Sequence, residues 1–291
     1  MPLGIIADQI SQDLEVACKV ASSKGLKYID IHNVFNKAIE ELNDEEVNTV
    51  KKILDKYNLK ISNLASTVFF MCKLHEDDEI SLFSDTFLVI HGDVDTHLRY
   101  LERACIIANV LGAKTVRAFP FVYPDSQKSK NLARDMELIV ENFKKAVVIA
   151  EKHNIDIVIE NCPHSFCPKG EMTYEIVSKV GSKFLKCLWD PGNSYRANVA
   201  NVDEKYLKLN LLEEFELIKE KIGHMHIKNY QKNPDLPKPF VHIGTFEGDI
   251  NFEELMFKMS EYNSNITLSL EPEVDDEATL KSIDDSLKMF N

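Results

Sequence analysis

The chain has 291 residues, 44% of them hydrophobic and 28% charged, and carries a formal net charge of −13. That balance is ordinary for a soluble globular chain and supplies enough apolar material for one large core. The acidity argues against a polyanionic partner such as DNA, because no global charge draws phosphates in, but it leaves room for a small anionic substrate held by local Lys or Arg.

In chain order, LGIIA gives a first strand and residues 10–23 a helix. KYIDIH gives the second strand, and NDEEV opens a helix over 44–57 with a capping residue and an acidic first turn. KISNLAS is the third strand, and 67–95 is long and irregular. Residues 97–111 form a helix that stops at Gly112. AKTVRAF is the fourth strand, and 133–153 is a long amphipathic helix. Four further strands, IDIVIE, KCLWD, GHMHI and ITLSLE, are separated by helices near 173–180, 204–221 and 252–262, and 278–289 closes the chain. Strict alternation predicts a parallel sheet, and eight strand and helix pairs predict a single (β/α)8 barrel over 1–291. The first turn, GIIADQIS, lacks the glycines of a dinucleotide fold, and no phosphate-binding loop occurs. Segments 67–95 and 230–248 exceed normal connections and read as active-site loops.

No apolar run approaches the roughly 18–20 residues of a membrane-spanning helix. MPLGIIAD carries no basic segment and no long apolar leader. The six cysteines, Cys18, Cys72, Cys105, Cys162, Cys167 and Cys187, lack CxxC or zinc-ribbon spacing. The expectation is a cytoplasmic protein with reduced thiols, no membrane partner, no nucleic-acid partner, and homo-oligomerisation left open.

Each of the last four strands ends on a residue able to ligate a metal, in the order Glu160, Asp190, His226, Glu271. Taken singly, an acidic residue at a strand end is usually a helix cap or a solvated loop residue, and a strand histidine usually belongs to the core. Functional residues of parallel α/β sheets and barrels collect at the carboxyl ends of the strands, however, so four in succession can converge. Three carboxylates and one imidazole form a hard, oxygen-rich set suited to Mn2+ or Mg2+ and acceptable to Co2+ or Zn2+.

The set IVIEN, LWDPGN, HMHIK and LSLEPE, with IGTFEGDINF before the last helix, resembles the xylose isomerase-like TIM-barrel superfamily, and within it the sugar phosphate isomerase/epimerase group. The resemblance spans essentially the whole chain. It implies one divalent ion bound by Glu160, Asp190, His226 and Glu271. It also implies a small carbohydrate substrate, a hydroxy-ketone whose carbonyl the ion polarises while an enediolate forms, with Glu160 and Glu271 as the acid and base pair. Isomerisation or epimerisation follows if the proton returns, and dehydration if a β-hydroxyl leaves instead.

Lys228, two residues beyond His226 on the same strand face, is either a substrate ligand or a solvated strand-end lysine. Asn193 is either a substrate contact or the cap of the next helix. Arg117 and His32, at the ends of the fourth and second strands, are candidates for the barrel mouth, and His224 is expected in the core or behind His226. The chain departs from the family in reading HIKN, with Asn229 taking a carboxylate from the rim, in stretching a short turn to GTFEGD, and in placing His242 where proline is common. Two remoter readings are a nuclease resembling apurinic-site endonucleases, disfavoured by Asn193 and the acidic charge, and a non-catalytic sugar-binding protein, for which keeping all four ligands would be unnecessary.

Overall fold

The computed structural model describes residues 1–81, 88–125, 131–197, 202–262 and 266–290. Among them, eight strands form one sheet: β1 (Leu3–Ile5), β2 (Tyr28–Ile31), β3 (Lys60–Val68), β4 (Thr115–Ala118), β5 (Asp156–Glu160), β6 (Leu185–Trp189), β7 (Ile222–Ile227) and β8 (Thr267–Leu270). Every neighbouring pair is parallel, and β1 pairs with β8 through Leu3 and Leu268. A single parallel bridge between Ile6 and Asp30 joins the remaining edges, β1 to β2, so the barrel is nearly closed. Parallel strands need long crossovers, and helices supply them: α1 (Leu14–Lys24), α2 (Asp44–Tyr57), α3 (Val94–Leu111), α4 (Leu132–His153), α5 (Gly170–Val180), α6 (Leu211–Ile218), α7 (Phe252–Glu261) and α8 (Asp276–Phe290). The expected (β/α)8 barrel is therefore the observed fold. Among the described residues, no helix is long and apolar enough to cross a membrane.

Capping explains most boundary differences. The helix expected over 10–23 starts at Leu14, because the Asp13 carboxylate accepts from the amides of Glu15 and Val16. The helix expected over 204–221 is interrupted: residues Glu204–Leu207 form a 3-10 turn, and α6 starts afresh where Asn210 and Glu213 make a capping box. α5 begins three residues earlier than its expected start at 173, and Lys169 before it caps nothing with its side chain, so no local signal marks the start. β3 runs two residues past KISNLAS because the buried Glu40 carboxylate accepts from Ser66 Oγ and from both the amide and the hydroxyl of Thr67.

The two long segments are more ordered than expected. In 67–95, of which 82–87 lie outside the described residues, Phe70 and Met71 join Phe119, Val122 and Cys162 in a small apolar cluster above the barrel core. The segment 230–248 is largely a β-hairpin, in which Asn229–Lys232 pair antiparallel with Phe240–Ile243.

Candidate metal centre and substrate cavity

Glu160 ends β5, Asp190 follows β6, His226 lies one residue from the end of β7, and Glu271 follows β8. Parallel pairing puts all four at one end of the barrel. One ligating atom from each lies within 4.8 Å of the others. Asp190 and His226 are fully buried and Glu160 nearly so. The buried His226 Nδ1 has no hydrogen-bond partner among the described residues, although Glu160 Oε1 and Glu271 Oε2 stand 3.5 and 3.4 Å away. Buried polar atoms left in this state call for a ligand, and three carboxylates with one imidazole are the donor set that hard divalent cations take. The residues fit such an ion.

The other ring nitrogen of His226 is backed by Asp30. Asp30 Oδ2 lies 3.5 Å from His226 Nε2 and 2.9 Å from His224 Nε2, while its Oδ1 accepts from Ser62 Oγ and the Asn63 amide. A carboxylate on the far nitrogen fixes the tautomer and leaves Nδ1 as the lone-pair donor toward the cluster. Burial would raise the Asp30 carboxyl, but the two histidines override it and hold it well below the usual range. Asp30 escaped the sequence reading. Its one signal is an acidic residue inside the otherwise buried strand KYIDI.

Two cations sit among the cluster carboxylates. Lys228 Nζ lies 2.6 Å from Glu271 Oε2, 3.0 Å from Asp190 Oδ2 and 3.1 Å from Glu273 Oε1. Arg117 gives Nη1 to Glu160 Oε2 at 2.9 Å and its other donors to the carbonyls of Ser66 and Ala65. Burial pushes Glu271 and Glu160 toward neutrality. Lys228 and His226 hold Glu271 well below its ordinary value, and His226 with Arg117 lower Glu160. Asp190 is raised to about 7, because burial and the charges of Glu271 and Glu160 outweigh Lys228. Asp190 thus stays poorly compensated despite Lys228 and His226, a state that a divalent ion bound there would relieve.

Above the cluster opens a cavity of about 280 Å3. Its walls include Glu160, Glu271, Lys228, Asn193, Arg117 and His32, so every residue named from the sequence as catalytic or substrate-binding borders it; Phe70 and Phe119 add an apolar side. The volume falls near the low end of small-molecule pockets, about 300–1,000 Å3, and suits a single small ligand. His32 meets Asp8 Oδ2 through Nδ1 at 3.1 Å. Asn193 is not the cap of the next helix: it lies inside the helix that Asp190 caps, its backbone amide donating to Asp190 Oδ1, while its side chain donates to Glu160 Oε1 at 3.3 Å. Cys162 also borders the cavity, but burial pushes its thiol up to about 12, which makes it an unsuitable ligand.

A sequence profile of the family described as xylose isomerase-like TIM barrel matches residues 18–291. The chain belongs to that family. No curated protein matches this xylose isomerase-like barrel in sequence. Among solved structures, the probable 3-DHS dehydratase of petrobactin synthesis from Bacillus anthracis superposes with a TM-score of 0.70 at 15% identity, over 99% of each chain. The IOLI protein with a bound zinc atom gives 0.69 at 18% identity, over 100% of this chain and 96% of its own. A D-tagatose 3-epimerase-like protein gives 0.68 at 19%, over 100% and 97%. At these identities the likeness is one of fold.

One expectation about this xylose isomerase-like barrel needs correction, and one alternative falls away. Asn229 is no rim residue that has lost a charge: it is fully buried, donates Nδ2 to the carbonyls of Thr245 and Ile250, and accepts from the amides of Tyr230 and Ile250. It pins the stretched GTFEGD turn, whose Gly248 is required because a Cβ there would lie 2.4 Å from the Asn229 side chain. Lys228 is no solvated lysine, being 4% exposed. Gly192 of WDPGN lets it pack so closely, since a Cβ at 192 would lie 2.7 Å from the Lys228 carbonyl oxygen. The hairpin after β7 borders the cavity less directly than expected: His242 reaches Glu273 at 3.3 Å, and Tyr230 packs tilted against His242, with ring centroids 4.4 Å apart.

Proposed function

We propose that this protein is a divalent-metal-dependent isomerase or epimerase of a small sugar or sugar-like hydroxy-ketone. The observation that carries this reading is the convergence of Glu160, Asp190, His226 and Glu271 within 4.8 Å at the floor of a small cavity. Mn2+ or Mg2+ suits the donor set best, with Co2+ or Zn2+ acceptable. When bound, the ion supplies a Lewis acid that polarises the substrate carbonyl and offsets charge building on its oxygen.

The chain's own residues do the rest. Glu160 and Glu271 come from different strands and flank the same space, so one takes a proton from the carbon beside the carbonyl and the other returns one. Arg117 and Asn193 hold the Glu160 carboxylate, and Lys228 holds Glu271, so neither base is free to swing. Phe70 and Phe119 keep water from one side of the cavity. The same proton abstraction serves a dehydratase if a β-hydroxyl departs before the proton returns, and the products separate the two outcomes.

The test is incubation of the Mn2+-loaded protein with a panel of hydroxy-ketoses in deuterated water. Deuterium should enter a true substrate at the carbon beside the carbonyl, and Glu160→Gln and Glu271→Gln should each suppress kcat far more than they raise KM. Near wild-type kcat in both variants on a verified substrate would end the proton-shuttle reading.

A further inference from the structure

Arg196 is a cation on the cavity wall with no anion of its own among the described residues. It follows the short helix Pro191–Tyr195 that Asp190 begins, and its backbone amide bonds back to the Gly192 carbonyl, which fixes where the side chain leaves the chain. Its guanidinium lies over the Tyr230 ring, 5.2 Å from the centroid. That ring is itself held by His242 at 4.4 Å and by Phe240 at 6.3 Å. An aromatic shelf of this kind occupies the flat face of a guanidinium and leaves its in-plane N–H donors for another partner. No such partner exists among the described residues: the side chain makes no ion pair and no hydrogen bond, and its Nε is buried.

The other cations of the cavity differ. Arg117 spends its donors on Glu160 and two carbonyls, and Lys228 sits among three carboxylates. The other acids of the wall are also taken: Glu273 pairs with Lys228 and His242, and Asp8 with His32 and Asn33. His164 borders the same wall and is lowered to about 4, first by burial and then by Arg196, Lys228 and Lys238. The unpaired guanidinium makes this stretch of the wall positive. Leaving a partly buried charge unpaired is costly unless a ligand completes it. Guanidinium is matched in shape to the paired oxygens of carboxylate and phosphate.

We propose that Arg196 binds an anionic group, a carboxylate or a phosphate, carried by the substrate, so that the protein acts on acidic rather than neutral hydroxy-ketones. This deepens the function proposed above and rests on it. The cluster carboxylates engage the carbonyl end through their ion, while Arg196, which pairs with none of them, holds the anionic end. Substrate choice then lies in a residue that takes no part in the proton transfer.

The test is calorimetric binding of three probes to the full-length, Mn2+-loaded protein: D-fructose, D-fructose 6-phosphate and 5-keto-D-gluconate. At least one anionic probe should bind about tenfold or more tighter than fructose, the effect of one hydrogen bond to a charged group. Which one does so distinguishes phosphate from carboxylate. Arg196→Ala should abolish the preference and Arg196→Lys should keep part of it, while the affinity of both variants for Mn2+ alone matches wild type, showing an intact fold and cluster. The proposal is overturned if neither anionic probe binds better than fructose, a lack of any binding included, or if the preference survives in Arg196→Ala. Failure of the wild type to bind Mn2+ would sink the metal-dependent function instead. The same probe series without Mn2+ would then still decide the role of Arg196.

Discussion

Lys228 Nζ lies 2.6 Å from Glu271 Oε2, and the same ammonium is 3.0 Å from Asp190 Oδ2, so a buried lysine shares two of the oxygens that a divalent ion would use. The three carboxylates of the cluster come into contact with one another only because Lys228, Arg117 and His226 offset their mutual repulsion. An ion bound there adds to a site already partly neutralised.

Lys228→Met removes that internal cation while keeping the length of the side chain. Breaking a buried pair by deleting one partner costs about 3–5 kcal/mol, because the remaining charge is left uncompensated. In thermal unfolding with a chelator present, the variant should have a markedly lower Tm than wild type. Saturating Mn2+ should raise the Tm of the variant by more than it raises that of wild type, since binding to the folded state now relieves a larger repulsion. Equal metal-induced shifts in the two proteins would show that Lys228 does not compensate the cluster.

Asp30→Asn tests the residue behind His226. The variant keeps the size of the side chain but no longer offers a charge to His224 and His226, so the tautomer with Nδ1 as donor loses its support. Loss of such a partner typically lowers metal affinity about 10–100-fold. A Mn2+ titration should show a weakening of that order, with circular dichroism unchanged. An unaltered Kd would assign Asp30 to core packing alone.

His97 predicts a pH dependence of stability. It is fully buried, its Nδ1 accepts from the Phe69 amide at 2.9 Å, and burial, with a smaller contribution from His91, lowers it to about 4. Phe69 has a φ of 62°, a left-handed conformation that this bond helps to hold. A lowered base in the fold means that the unfolded chain binds the extra proton first as the medium is acidified. The stability from neutral His97 is therefore complete above about pH 6.5 and is lost as pH falls from there through about 4. His97→Asn, which keeps an acceptor without titrating, should lose less Tm than wild type between pH 7 and pH 4.5. Parallel Tm profiles would remove His97 from the acid response.

The architecture and the convergence of Glu160, Asp190, His226 and Glu271 were legible without coordinates because both are written in local pattern. A strand of a parallel barrel buried on both faces is a short apolar run, and such a run ending in Glu160, Asp190, His226 or Glu271 places that residue at the barrel mouth whatever the remaining contacts. The helix start at Asn43 was legible from its cap, whereas the capped starts after Asp13 and Asn210 were placed too early and the uncapped start at Gly170 was missed. What only the tertiary structure decided is how those residues are paired. Asp30 acquires its role by meeting His224 across 194 residues of chain. Lys228 is buried among carboxylates from two other strands, Asn229 ties a turn instead of presenting a polar rim, and Arg196 stands on the shelf of Tyr230 without a counterion among the described residues. Local periodicity selects the face on which a side chain lies, but the partner of a charge is set by packing between segments distant in sequence. In a low-dielectric interior that partner determines whether the group is a ligand, a support or an open binding site.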